Sequence, residues 1–349
     1  MKKWKELKQW EYWPSWTFYL PLLPYLLKKV IAQGPPFTHF LHVNPSIPYS
    51  GHGNESKYET LKLLPNKLVP KSTLLSLDQP LEVWKKHINK YPVIIKPDIG
   101  YRGLGVFKIK DENELEKCYQ KHFQPIRKKQ PGFLVILQEY IKTNEELSIF
   151  TVKDPKTGQF FISSLTQKEF LQLEGDGNST ILHLLKKHPR GKFYVSQYQK
   201  KELALNRVLK KGELWRPNEI GNHSRGTRFI NINNQISEAL SQNFNNLALS
   251  IKDFNYGRFD IKAEHLKDLE QGQNFKILEL NGVMAEPVHI YDSDHSSYFQ
   301  AIKTLKKHWS YIDALGAQQT PDQDPISLKT YFKVLNQMRK HKKLLKSIS

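Results

Sequence analysis

A single cysteine, Cys118, stands in a chain of 349 residues, so no intramolecular disulfide can form and the sequence suits a reducing compartment. Residues 115–119 around it read as a helix, in which a thiol is core material rather than a nucleophile. No apolar run is long enough to span a membrane: residues 13–27 are too few and are broken by Pro14, Pro21 and Pro24. Lys2, Lys3, Lys5 and Lys8 precede that run, but no small-residue cleavage site follows it, so a secretory signal is not read and a cytoplasmic protein is expected. Repeats and low-complexity tracts are also missing. Acids are scarce, 34 against 53 basic residues, which leaves a formal charge of +19. Such a surplus points to nucleotide, phosphorylated metabolite, nucleic acid or anionic lipid, or simply to a basic soluble surface. The chain holds neither a Gly-Lys-Ser/Thr nucleotide loop nor an interleaved aromatic–basic RNA motif nor a helix-turn-helix signal, so nucleic acid is not expected among its partners.

What is present is an aromatic-rich hydrophobic fraction of 39%, enough at this length for two or three lobes. Residues 1–75 form a Trp- and Pro-rich first segment, with Trp4, Trp10, Trp13 and Trp16 close together and Pro35, Pro36, Pro45, Pro48, Gly51 and Gly53 marking extended chain. Helical and strand patterns then interleave. Helices are expected over residues 82–90, 112–122, 180–187 and 237–252, and strands over 93–95, 106–109, 133–137, 147–152, 257–262 and 275–281. Residues 154–158 read as a turn between strands. The end of the chain keeps helical spacing at Leu328, Tyr331, Phe332, Leu335 and Met338, with seven Lys/Arg and no acid from Ile326 onward. The expected class is α+β.

Three segments carry chemistry. In the first, the apolar strand Val93, Ile94, Ile95 ends on Lys96 and is followed by Gly100, Gly103 and Gly105. A lysine there has a dry stem and an ammonium facing a cleft, and glycines let backbone N–H groups approach phosphate. A glycine hairpin with a snorkelling lysine is the other reading. In the second, a buried strand runs out into Gln138 and Glu139, with Glu145 and Glu146 beyond. This suits an adenine edge and ribose hydroxyls, or is an ordinary strand end. In the third, alternation puts Arg258 and Asp260 on one face while Phe259 and Ile261 turn inward; likewise Glu279 and Asn281 share a face while Leu278 and Leu280 point away. Two carboxylates and an amide oxygen on neighbouring strands make a hard oxygen site, right for Mg²⁺ bound with a triphosphate.

Taken in order over residues 55–292, these segments resemble the ATP-grasp superfamily of carboxylate–amine ligases, nearest to D-alanine–D-alanine ligases and to the ATP-grasp part of cyanophycin synthetase. The resemblance implies an ATP-grasp fold of two α+β lobes that clamp ATP, here with a reduced N-terminal segment and a basic C-terminal helix. The implied divisions are 76–145 for the first lobe, 146–312 for the second with its metal site, and 313–349 for the tail helix. Lys57 and Lys96 are implied as phosphate contacts, and Gly100, Arg102, Gly103 and Gly105 as the phosphate loop. Gln138, Glu139 and Ile141 are implied as the adenine hinge, and Glu146 as the ribose acceptor. Asp260, Glu279 and Asn281 are implied as ligands of Mg²⁺, or of Mn²⁺ in its place, and Arg258 as the arginine that steadies the tetrahedral intermediate with backbone donors near Gly282. Asn222, Arg225 and Gly226 match the loop that closes over nucleotide, and His289 follows as a substrate contact, a proton acceptor or a structural histidine. The chain departs from D-alanine ligases in carrying Arg102 and Gly103 where those have a Ser-Ser pair, and its first 55 residues are too short and proline-rich for their preceding domain.

The expected activity is ADP-forming ligation of a small carboxylate to an amine. A phosphotransferase acting on a hydroxyl, or a non-enzymatic basic protein, are the alternatives. The aromatics Trp10, Trp13, Trp16, Phe18, Tyr19 and Tyr25 either pack against the lobes or, with the basic C-terminal helix, hold the protein at an anionic membrane.

Overall fold

The structure, a computed structural model, describes residues 9–33, 39–101, 103–200, 204–219, 221, 223–319 and 328–347. Short apolar runs bounded by glycine and proline build a first sheet from β1 (Ser72–Ser76), β2 (Val93–Pro97), β3 (Phe107–Ile109) and β4 (Leu134–Glu139), in the order β1-β4-β2-β3. Each neighbouring pair runs antiparallel. Leu75, Val93, Ile95, Ile109, Val135 and Leu137 bury against Trp84 of the helix Leu81–Lys86 and Leu115 of the helix Glu112–Cys118. Asp111 caps the latter by accepting the Glu114 N–H at 2.8 Å. The helix expected to end at residue 122 instead runs through a wide turn, Tyr119–Phe123, into Gln124–Lys129.

The second sheet contains β5 (Glu145–Lys153), β6 (Phe160–Glu169), β9 (Arg228–Asn231), β10 (Tyr256–Ala263) and β11 (Phe275–Asn281), in the order β11-β10-β5-β6-β9. β5 has a strand on either side and is buried almost throughout: Leu147, Ile149, Phe150 and Val152 are core, and the buried Ser148 and Thr151 interrupt the apolar run. Phe150 and Val152 pack with Tyr256 on Ile312 and Leu315 of the helix Tyr298–Gln318. That helix starts in a capping box of Ser297 and Gln300 and runs through residue 313, where the sequence suggested a boundary; the apolar spacing of Ala301, Leu305, Ile312 and Leu315 carries it across. The expected α+β class, with antiparallel sheets, is present.

The chain forms two compact units, one of residues 1–166 and 231–349, the other of residues 167–230. It leaves the larger within β6 and returns within β9. The smaller unit contains the antiparallel pair β7 (Leu173–Glu174) and β8 (Leu214–Trp215) and the helices Ile181–Lys187 and Val195–Lys200.

At the start of the chain the prolines do not break the helical path. Trp16–Tyr19, the 3₁₀ turn Leu20–Leu22 and Leu23–Gln33 follow without a gap, and Pro21 and Pro24 sit in first turns, where a missing N–H costs nothing. Trp10, Phe18 and Leu22 bury against Ile290, Ala301 and Leu305. Among the described residues no helix is long and apolar enough to cross a membrane.

Candidate active site

β10 and β11 pair with Arg258 opposite Asn281 and Asp260 opposite Glu279, and the register slips just after Asp260. Phe259, Ile261, Ile277 and Leu280 fill the core beneath them, which turns the four polar side chains to the other face. Asp260 is the hub. One of its oxygens accepts from Ser148 of β5; the other accepts from Arg258 Nη2 and Asn281 Nδ2, each at 3.0 Å. Arg258 Nη1 donates to the Glu286 carbonyl at 3.2 Å, while its Nε is buried without a partner. Glu286 is held in turn by the hydroxyls of Tyr19 and Tyr291.

Two lysines arrive from elsewhere. Lys57 begins the helix Lys57–Lys62, which Ser56 caps by accepting the Glu59 N–H at 3.1 Å. Asp98, just past the end of β2, accepts from Ser56 Oγ at 2.9 Å and from the Tyr58 N–H at 3.0 Å, so its carboxylate sits on the positive end of that helix and locks it to the first sheet. Lys57 pairs with Glu279. Lys96, buried at the end of β2, donates to Gln138 Oε1 at 3.0 Å and to the Leu278 carbonyl of β11 at 3.2 Å, so it spans the two sheets. Burial, and after it the charge of Lys57, push the Lys96 ammonium down to about 7. Burial also lowers Lys57, against the pull of Glu55 and Asp260.

The glycines have defined work. Gly103 and Gly105 adopt φ of 73° and 69°, closing the turn after β2, and a Cβ on Gly100 would come within 3.0 Å of Lys57 Cε. Past β11, Gly282 lies against the loop of Ser50 and Gly51; a Cβ on Gly282 would meet the Ser50 carbonyl oxygen at 2.1 Å. Gly282→Ala is therefore expected to destabilise the fold by roughly 1–3 kcal/mol, read as a lowered melting temperature; unchanged melting would show that the contact yields freely. The backbone donors expected near Gly282 for an oxyanion are engaged within the protein: the N–H groups of Val283, Met284 and Ala285 meet the carbonyls of Ser50, Gly51 and Gly282.

The remaining expected residues fall as follows. Gln138 lies inside the first sheet, its backbone between β1 and β2, and its side chain bridges Lys96 and Ser72; it positions Lys96 rather than presenting an open hinge. The exposed Glu139 meets the Lys71 N–H at 3.4 Å. The Ile141 carbonyl accepts from Lys262 at 3.0 Å, and Lys262 stands opposite the buried Glu146 in the β5–β10 register. His289 is buried, bonded to Ser164 at 2.6 Å and held down at about 4 by burial, so its ring is neutral near neutral pH. Within the smaller unit the Arg225 carbonyl accepts from Tyr198 at 2.8 Å, and Gly226 at φ 97° passes beside that hydroxyl. Arg102 and Asn222 lie outside the described residues. Ser148, Asp98, Gln138 as a lysine partner, and Glu286 were not anticipated in these roles; the Ser56-x-x-Glu59 capping signal alone hinted at the first turn that places Lys57.

Two carboxylates and an amide on one strand pair, with two ammonium groups and a guanidinium against them, are a donor set that fits a hard divalent cation together with an oligophosphate. The orphaned Arg258 Nε and the depressed Lys96 ammonium fit an anionic occupant for the same reason. Among the described residues no group of three or more His, Cys, Asp or Glu forms a metal cluster by itself.

No family model matches the chain, and no curated protein matches it. Among solved structures it is similar to the VanG D-Ala:D-Ser ligase of Enterococcus faecalis, at 13% identity and TM-score 0.43 over 77% of this chain and 64% of that one. A D-alanine–D-alanine ligase of Bacillus anthracis aligns at 16% identity and TM-score 0.40, over 74% and 67%. A bifunctional glutathione synthetase of Pasteurella multocida aligns at 18% and 0.37, over 73% of this chain and 36% of that one. The chain thus spans less than two-thirds of the first of these proteins.

Proposed function

We propose that this chain is an ATP-dependent ligase of ATP-grasp type, which activates a small carboxylate as an acyl phosphate and joins it to an amine with release of ADP. The supporting observation is the convergence of Lys57 and Lys96 on the strand pair that carries Arg258, Asp260, Glu279 and Asn281. Buried cations, Lys96 lowered by burial and by Lys57, and Lys57 lowered by burial and in part by Arg258, are a receptor for a polyanion. A phosphate chain between them favours the charged form of Lys96, and little else is required of a phosphoryl-transfer site beyond placement and neutralisation.

In this reading Lys57, Lys96 and the glycine turn hold phosphate oxygens, and Gln138 and Asp98 keep the two lysines in place. Glu139 and Ile141 border the base, and Glu146 the ribose. Asp260, Glu279 and Asn281 would hold Mg²⁺, or Mn²⁺, which when bound neutralises phosphate oxygens. Arg258, steered by Asp260 and the Glu286 carbonyl, faces the oxyanion that forms when the amine attacks the acyl carbon. No protein nucleophile is needed: burial pushes the Cys118 thiol up to about 12, so it carries no thiolate near neutrality.

ADP release measured against panels of carboxylates and amines tests this. Release that requires both substrates, with an amide or peptide product, is expected. Release that requires only a hydroxyl compound and yields its phosphate ester would replace the ligase with a phosphotransferase.

A pH consequence follows from Lys96. With its ammonium near 7 in the free protein, it is mostly neutral about one pH unit higher. An arriving phosphate raises that value, so nucleotide binding there takes up close to one proton. Titration calorimetry in buffers of different ionisation enthalpy should show the uptake, and Lys96→Met should abolish it. Proton-neutral binding by the unaltered protein would separate Lys96 from the phosphates.

A further inference from the structure

The helical run from Trp16 to Gln33 has two apolar faces, and only one is used. Trp10, Phe18 and Leu22 enter the core. Trp16, Leu20, Leu23, Leu27 and Ile31 recur every three or four residues and all point out, from 46% exposed at Leu23 to 82% at Ile31. The run cannot roll to hide them. Trp10 Nε1 donates to the Ile290 carbonyl at 3.1 Å, Tyr298 Oη to the Thr17 carbonyl at 2.5 Å, and Lys29 pairs with Asp313 at 2.8 Å. A row of five large side chains held outward by anchors at both ends is a contiguous patch, unlike scattered surface leucines.

The charge around the patch has one sign. Lys28 on the run and Lys303, Lys306 and Lys307 on the neighbouring helix Tyr298–Gln318 are exposed, and Lys306 lies over the ring of Tyr25 at 5.2 Å, beside the stripe. The run carries no acid and the neighbouring helix only Asp313, which Lys29 holds; Glu11, just before the run, is buried. We propose that this face docks the protein on an anionic phospholipid surface, the stripe entering the acyl boundary with the Trp16 indole at the headgroup level and the lysines on lipid phosphates. One bilayer surface offers both chemistries, anionic heads over an apolar layer, in the geometry of an amphipathic helix lying in the interface. The enzyme would thereby be stationed beside carboxylates or amines carried on or delivered from a membrane.

Flotation of the full chain with vesicles of phosphatidylcholine containing phosphatidylglycerol tests it, against phosphatidylcholine alone. Binding is expected only to the anionic vesicles, and it should weaken as salt rises. Leu20→Glu with Leu27→Glu should lower partitioning by at least about tenfold, and Lys303→Gln, Lys306→Gln and Lys307→Gln by roughly fivefold for each lysine. These positions are exposed, so thermal melting should not change; Leu23→Ser with Ile31→Ser is a second probe of the stripe should the glutamates disturb the fold. No binding to anionic vesicles at low salt overturns the proposal. So does undiminished binding by both stripe variants, which would move the contact to another basic surface. A lipid-free dimer in sedimentation that the stripe variants dissolve would make the occupant a second copy of the chain. ADP formation by these variants in lipid-free solution should match the unaltered protein, so the outcome is independent of the ligase reading.

Discussion

Replacing Glu279 by glutamine is expected to cut Mg²⁺-dependent ADP formation by at least about tenfold, because removing a charged metal ligand costs more than about 1.4 kcal/mol of transition-state stabilisation. Glu279 stands opposite Asp260 across β10 and β11 and pairs with Lys57. Glutamine keeps its shape and loses the charge that pairs with Lys57 and that the proposed metal site requires. The fold should survive, since Glu279 is half-buried and its strand is held by Ile277 and Leu280 in the core. Glu279→Asp, which keeps the charge one methylene short, should recover part of the rate at high Mg²⁺. A glutamine variant with the rate of the unaltered protein at saturating Mg²⁺ would remove Glu279 from the metal site.

Lys96→Met is expected to weaken ATP binding roughly 10- to 100-fold, the range for losing a hydrogen-bonded charge in a dry site. Methionine preserves the buried stem and deletes the ammonium that touches Gln138 and Leu278. Arginine should be a poor replacement, because a planar fork does not fit where a compact ammonium meets two fixed oxygens. Stability separates the roles. A lysine whose ammonium burial depresses to about 7 opposes folding near and below neutral pH, because the unfolded chain holds that proton more tightly, so the methionine variant should melt at or above the unaltered protein while binding nucleotide poorly. Calorimetry showing unchanged affinity, together with unchanged turnover, would place Lys96 outside the nucleotide site.

Much of this arrangement was legible in the sequence because it is written in alternation. Arg258 and Asp260, and Glu279 and Asn281, share a face on strands whose other face is apolar, and period-two geometry alone puts them together. β2 and β4 were visible as apolar runs with clear stops. β6 was not: Ser163, Ser164 and Thr166 interrupt its pattern, and the burial of Ser164 and Thr166 depends on partners such as His289, more than a hundred residues away. Gln138 read as a strand end because nothing local shows that β1 and β2 flank it. Asp98 is not singled out by the sequence because its partners, Ser56 and Tyr58, come from a helix that precedes it by some forty residues. The C-terminal helix announced its charge but not its seat, where Leu345 joins the first sheet's core and His341 meets the Ile99 carbonyl at 2.7 Å.

By itself, then, the sequence determined the class of structure, the faces of the strands and the kinds of group available for chemistry, because propensity, period and turn chemistry act over a few residues. Only the tertiary structure decided which groups meet. Lys96 finds the Leu278 carbonyl across 182 positions of chain, and its proton is held loosely only because packing dries that spot and sets Lys57 beside it. The N-terminal run shows the same division. Its aromatics and leucines announce an apolar segment whose prolines speak against a helix, and only docking on the helix Tyr298–Gln318 determines that Phe18 and Leu22 are core and that Trp16, Leu20, Leu23, Leu27 and Ile31 meet solvent. Hydrophobicity is local and burial is not, so a sequence can specify a sticky surface without saying which side of it the rest of the molecule will cover.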